Sequence, residues 1–169
     1  MKTPASLILM LFVATLASPA LAAGKTAKSL LPLAAAEARK WQPDSVLVSI
    51  DTKSAQPDGT VAVGGFPGAW GYTFYSPKTK KKALVMVDGK GKLSRDDSGY
   101  FKNDPVGEFS IDSDKAMAAA VKEGLKTNTY GMSMGLDHSA GRSEWRMLDN
   151  KFFYYVDATS GKTRKEKTD

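Results

Sequence analysis

No cysteine occurs anywhere in the chain. That excludes disulfides, thiolate metal sites, a cysteine nucleophile and the lipid-accepting cysteine of an exported lipoprotein. Histidine is almost as scarce, since His138 is the only one. A Ser-His-Asp triad would have to use it, yet neighbouring Asp137 points to the other side of an extended chain. The carboxylates are scattered through turns and helix faces, with no pair placed across a cleft for acid and base work. A phosphate loop is missing too: Gly64-Gly65 is not followed by Lys-Ser or Lys-Thr and precedes no helix. These absences leave no catalytic residue and no cofactor to assign, and the expectation is a protein that is not an enzyme.

Long apolar runs are also few. The run from Leu7 to Leu16 is shorter than the ~20 residues needed to span a bilayer. Together with Lys2 before it and Pro19-Ala20-Leu21-Ala22 after it, it gives residues 1–22 the layout of a cleaved secretory signal. The expectation is a periplasmic or secreted protein with no stable membrane anchor after cleavage, and export discounts nucleic acid as a partner. Lys2 is the only charged residue of that segment, so its removal takes the net charge from +6 to +5.

What is present is enough for a core: 169 residues, 42% of them hydrophobic, make one domain or two small ones. Asp112 sits where an N-cap belongs, with Asp114 in the first turn, so a helix is predicted from Ser113. Met117, Ala120, Val121, Gly124 and Leu125 recur at helical spacing and form its buried stripe. Tyr130, Met132, Met134 and Leu136 then alternate with small residues as a half-buried strand does, and Asp137 to Ser143 reads as its turn. Trp145 and Met147 alternate in a second strand; Asp149-Asn150 reverses the chain into Phe152 to Ala158, and Asp157 to Gly161 is a turn signature.

The same order occurs earlier. Ser29 is placed as a cap with Pro32 in the first turn; Leu31, Ala34, Ala38 and Trp41 form a stripe, and Pro43 ends the helix. Val46, Val48 and Ile50 alternate as a strand closing at Asp51, Gln56 to Gly59 is a turn, and Thr60 to Val63 is a further short strand. Gly64 to Gly68 is read as a loop. Trp70, Tyr72 and Phe74 alternate, Ser76 to Lys80 turns, and Ala83 to Asp88 returns. At one constant offset Ala34 to Trp41 lies on Ala120 to Thr127, and Val46 to Asp51 lies on Met132 to Asp137. The reading is therefore an α+β protein of two α-β-β-β repeats, each a helix packed on an antiparallel sheet. The boundaries are 28–93 for the first repeat, 94–110 for a linker and 111–165 for the second. Neither half could bury its sheet alone, so pairing two copies is sensible.

The capped Ala-rich helix, the strand after it and the closing Tyr154-Tyr155-Val156-Asp157-Ala158-Thr159-Ser160-Gly161-Lys162 give the second repeat its family likeness. It resembles a PepSY domain, the small helix-and-sheet module of peptidase propeptides and many exported bacterial proteins, and the first repeat is a more degenerate match. The resemblance implies a non-catalytic module that restrains peptidases, and it carries no catalytic residues. In arrangement alone, tandem helix-and-sheet repeats are also similar to secreted β-lactamase inhibitor proteins.

The functional expectation is an exported, non-enzymatic binding module, peptidase-inhibiting or regulatory, whose partner is a protein such as a peptidase. Its candidate binding residues are Gly64, Gly65, Phe66, Pro67 and Gly68 of the glycine-rich loop, with Trp70 and Trp145 as an aromatic surface beside it. The competing reading puts those tryptophans in the core, as inward positions of alternating strands. The alternative function is a periplasmic binder of copper or another small ligand, using Met132, Met134 and His138 as thioether and imidazole donors. Against it, two methionines at period two are what a core face looks like, and His138 reads as a turn residue. Lysines crowd Lys78 to Lys82 and the tail from Lys162 to Lys167; solvated hairpin tips account for both, with an anionic partner as the other reading.

Overall fold

The computed structural model describes residues 24–63, 68–98 and 104–168. The proposed signal, residues 1–22, lies outside them. The order is α1 (Ala27–Trp41), β1 (Val46–Ala55), β2 (Ala69–Tyr75), β3 (Lys82–Asp88), β4 (Leu93–Asp96), α2 (Ser113–Lys122), β5 (Met132–Ser139), β6 (Arg142–Leu148), β7 (Phe152–Asp157) and β8 (Thr163–Lys167). All eight strands share one antiparallel sheet in the order β4-β3-β2-β1-β5-β6-β7-β8. Each half is thus a helix followed by a four-stranded meander, and the halves fuse where β1 pairs with β5, Ile50 opposite Leu136. The order α-β-β-β-β runs twice, with Ala27 answering Ser113 and Val46 answering Met132, 86 residues apart.

The fold is α+β, as expected, but each half carries one strand more than the three anticipated. β4 takes the start of the stretch read as a linker, and β8 takes the basic tail. Neither has an apolar alternation; they are strands because β3 and β7 offer them a ladder, Val85 facing Arg95 and Tyr155 facing Arg164. Both hairpins turn on an aspartate, Asp88 accepting from Lys90 and Lys92 and Asp157 from Thr159 and Ser160. Thr60 to Val63, expected as a strand, contributes only a single bridge between Val61 and Lys25. The turn before it, Gln56 to Gly59, lies against the first turn of α2: Gly59 has φ +77°, and a Cβ there would come within 2.3 Å of the Ser113 carbonyl oxygen. β5 runs on through His138 to Ser139, so the turn is only Ala140-Gly141, both at positive φ as a two-residue hairpin requires.

α2 begins at Ser113 as its aspartate cap predicts, and it stops at Lys122 because Gly124 adopts φ +103°. Gly124 therefore leaves the stripe, Val121 is 43% exposed, and Ser113 and Ala116 take the inward places. Tyr130, expected to face inward, is 94% exposed because it precedes the strand. α1 starts earlier than Ser29: Thr26 is the cap and accepts from the Ser29 N–H at 3.3 Å. Pro32 accordingly falls in the second turn, where the helix forgoes the bond to the Lys28 carbonyl.

Both helices cover one face of the sheet, α1 over β2 and β3 and α2 over β6 and β7. Ala27, Ala34 and Ala38 bring α1 close; Met117 and Ala120 do the same for α2. The helix N-termini meet over the β1–β5 seam. The Ala27 N–H donates to Ser113 Oγ at 3.1 Å, and the Lys28 N–H donates to Asp112 Oδ1 at 3.0 Å, which also accepts from Ser113 N–H at 2.7 Å. Beneath that junction Trp70 and Trp145 pack edge to face with centroids 6.1 Å apart, an arrangement worth about 0.5–1.5 kcal/mol beyond its buried area. Each indole donates to the carbonyl just before its own helix cap, Lys25 at 3.0 Å and Ile111 at 2.8 Å. Tyr72 adds a bond to the Ala27 carbonyl at 2.6 Å, and burial raises its phenol far above the usual range, so it stays a donor.

Candidate functional site

Among the described residues no helix covers the other face of the sheet. Period-two alternation turns Ser49, Asp51 and Lys53 of β1 to that face, with Ser133, Gly135 and Asp137 of β5, Arg146 and Leu148 of β6, and Phe153 of β7. These residues line a groove of about 580 Å³ across the seam between the two halves. Its depth has a plain cause. Asp51 faces Gly135 of β5, which offers no side chain beside it, while the space over Gly71 of β2 on its other side is closed by Leu84 and Met86. A Cβ at Gly135 would meet only the Ile50 carbonyl at 3.4 Å and the Asp51 Cβ at 3.8 Å, which leaves open space above.

The charges in and around the groove are mostly engaged. Arg146 Nη2 lies 3.8 Å from Asp137 Oδ2. Glu144, 8% exposed, holds Arg142 at 3.0 Å and Arg164 at 2.8 Å, and the Arg164 guanidinium stacks over the Tyr155 ring at 3.8 Å. Asp51 differs. Burial raises its pKa above the usual carboxylate range, with Lys53 partly opposing, and its Oδ2 is buried with no hydrogen-bond partner among the described residues. Ser49 Oγ and Thr73 Oγ1 are buried and unpartnered as well, and these two residues face each other across β1 and β2. Buried polar atoms rarely stay unpaired. The groove therefore presents the Asp51 carboxylate and the Ser49 hydroxyl, with Asp137 already engaged by Arg146 and an apolar wall of Leu148 and Phe153.

The residues singled out from the sequence fall elsewhere. Gly64, Gly65, Phe66 and Pro67 lie outside the described residues. Gly68 packs its backbone on residue 62, and its carbonyl accepts from the Gly89 N–H at 3.0 Å. Trp70 and Trp145 are wholly buried on the helix side of the sheet, so they form no exposed aromatic surface; their indoles hold the two helix starts instead.

Met132 and Met134 belong to the hydrophobic core, Met134 at 2% exposure. Six strand residues at about 3.3 Å each place Met132 and His138 some 20 Å apart along β5, too far to share one ion. His138 is a strand residue, with Nδ1 3.1 Å from Ser143 Oγ. That serine donates its own proton to the Val106 carbonyl at 2.6 Å, so the pair anchors the segment before α2 and offers no activated nucleophile. Among the described residues no three His, Cys, Asp or Glu side chains cluster as metal ligands would.

Sequence reasoning missed Asp51 and Ser49 as site residues. The signal available was the repeat itself, because Asp51 and Asp137 occupy the same place in the two copies.

No protein-family model matches the chain, and no curated protein matches it. A solved structure from Clostridium difficile 630, described as a "putative lipoprotein", is similar with a TM-score of 0.59 over 86% of this chain and 94% of that one. Identity is 13%, so the likeness is one of fold. This chain has no cysteine to carry a lipid, and among its described residues no helix is long and apolar enough to cross a membrane.

Proposed function

We propose that the chain is an exported, non-enzymatic binding module, a tandem of PepSY-like units that engages a protein partner through the uncovered face of its sheet. The observation that carries this reading is the groove across the β1–β5 seam, with buried polar atoms left unpaired on a face that no helix covers among the described residues. Buried polar atoms are ordinarily hydrogen-bonded, and the polar groups of a docked chain would supply the missing bonds. Export is supported by the layout of residues 1–22. The PepSY resemblance makes a peptidase the first class of partner to try.

The test is capture from a periplasmic extract by the mature chain and by Gly135→Phe, which fills the groove without entering the core. Partners retained by the wild-type chain and lost by Gly135→Phe are expected, with hydrogen-exchange protection on β1, β5 and β6. Equal capture by both proteins, or protection confined to α1 and α2, would overturn the reading.

A further inference from the structure

We propose that the groove receives a basic side chain, a guanidinium or ammonium carried by an extended segment of the partner protein, with Asp51 as its counter-ion. This rests on the reading of the uncovered face as a docking surface and names what docks there. Two acceptors point to it. Asp51 Oδ2 is buried without a partner. Ser49, also lining the groove, is only 7% exposed, and its Oγ is unpartnered too.

The neighbouring charges single out Asp51. Arg146 is engaged with Asp137, and Glu144 is taken by Arg142 and Arg164. Lys53, on the same strand, is exposed and attracts Asp51 while leaving Oδ2 unpaired. With Asp137 engaged by Arg146, Asp51 is the carboxylate left open, and no three acids or imidazoles cluster there among the described residues, so the set is poor for a divalent metal and good for an N–H cation. Arginine and lysine supply several donors on an apolar stem, and Leu148 and Phe153 give that stem a surface to lie on. An extended segment suits a shallow trough running over strands, since its alternate side chains reach the same wall.

The probe is an octapeptide phage library selected against the mature chain, with the selected peptides then measured on the wild type, Asp51→Asn and Gly135→Phe. Wild type should select peptides with Arg or Lys at one fixed position, and exchanging that residue for Met should weaken binding by about tenfold or more. On Asp51→Asn, an isosteric change that keeps the fold, the same exchange should cost less than about twofold, which is the sign of a direct coupling.

Selected peptides without a fixed basic residue, or an equal penalty on both proteins, would overturn the basic-side-chain proposal. If Gly135→Phe still abolishes binding in that case, the docking face itself stands. Binding untouched by Gly135→Phe would sink both, and selection of no peptide at all would overturn the proposal.

Discussion

Asp112 serves two helices at once, and its replacement should cost more than a helix cap normally does. Its Oδ1 accepts from Ser113 N–H at the start of α2 and from Lys28 N–H at the start of α1. Removing an N-cap side chain costs about 0.5–2 kcal/mol. The second bond, from an N–H close enough to the surface to recruit water, adds about 1 kcal/mol. Asp112→Ala should therefore lose about 2 kcal/mol, which for a chain of this length lowers the melting temperature by about 4–8 °C. Asp112→Asn keeps an acceptor oxygen but removes the charge facing two helix N-termini, so about 1 kcal/mol is expected.

Thr26→Ala is the control, since Thr26 caps only α1. It should cost about 1 kcal/mol, within the ordinary capping range. Urea unfolding at low ionic strength, with the slope checked for constancy across the variants, gives the comparison. If Asp112→Ala and Thr26→Ala move the midpoint equally, the carboxylate supports one helix only and the shared junction is refuted.

Two other outcomes follow from the same geometry. Trp145→Phe keeps most of the ring packing on Trp70 and Phe109 but deletes the donor to the Ile111 carbonyl; it should lose about 1–3 kcal/mol in thermal unfolding, and a loss under about 0.5 kcal/mol would mean water replaces the indole. Asp51 is held with its pKa raised by burial, so the folded state pays for its charge above that raised value and not below the unfolded one. Asp51→Asn should accordingly stabilise the protein at neutral pH, with the gain fading as pH falls through the folded-state pKa; a gain that persists at pH 3 would contradict this.

The parts of the fold readable from the sequence are those with local chemistry behind them. Asp112 announced α2, and the hairpin at Asp149-Asn150 and the turn at Asp157 to Gly161 were visible because aspartate and glycine have specific backbone uses there. β4 and β8 were not visible, because Leu93 to Asp96 and Thr163 to Lys167 have no alternation of their own and owe their conformation to the strand beside them. The groove was harder still. An acid after Ile50 reads as the end of a strand, and only the register shows that glycines flank it on both sides. The tryptophans misled for a related reason: alternation shows that Trp70 and Trp145 share a face with their neighbours, but not whether that face meets helices or water.

The joining of β1 to β5 also has a kinetic meaning. Every other ladder in the sheet links strands that follow one another along the chain, so either meander can assemble by short loop closures. The central ladder alone must bring together segments separated by a whole half of the protein, which makes it the natural slow step of folding. A polypeptide cut between β4 and α2 would turn that step into a bimolecular one, and each orphaned half would carry a bare strand edge ready to recruit a copy of itself.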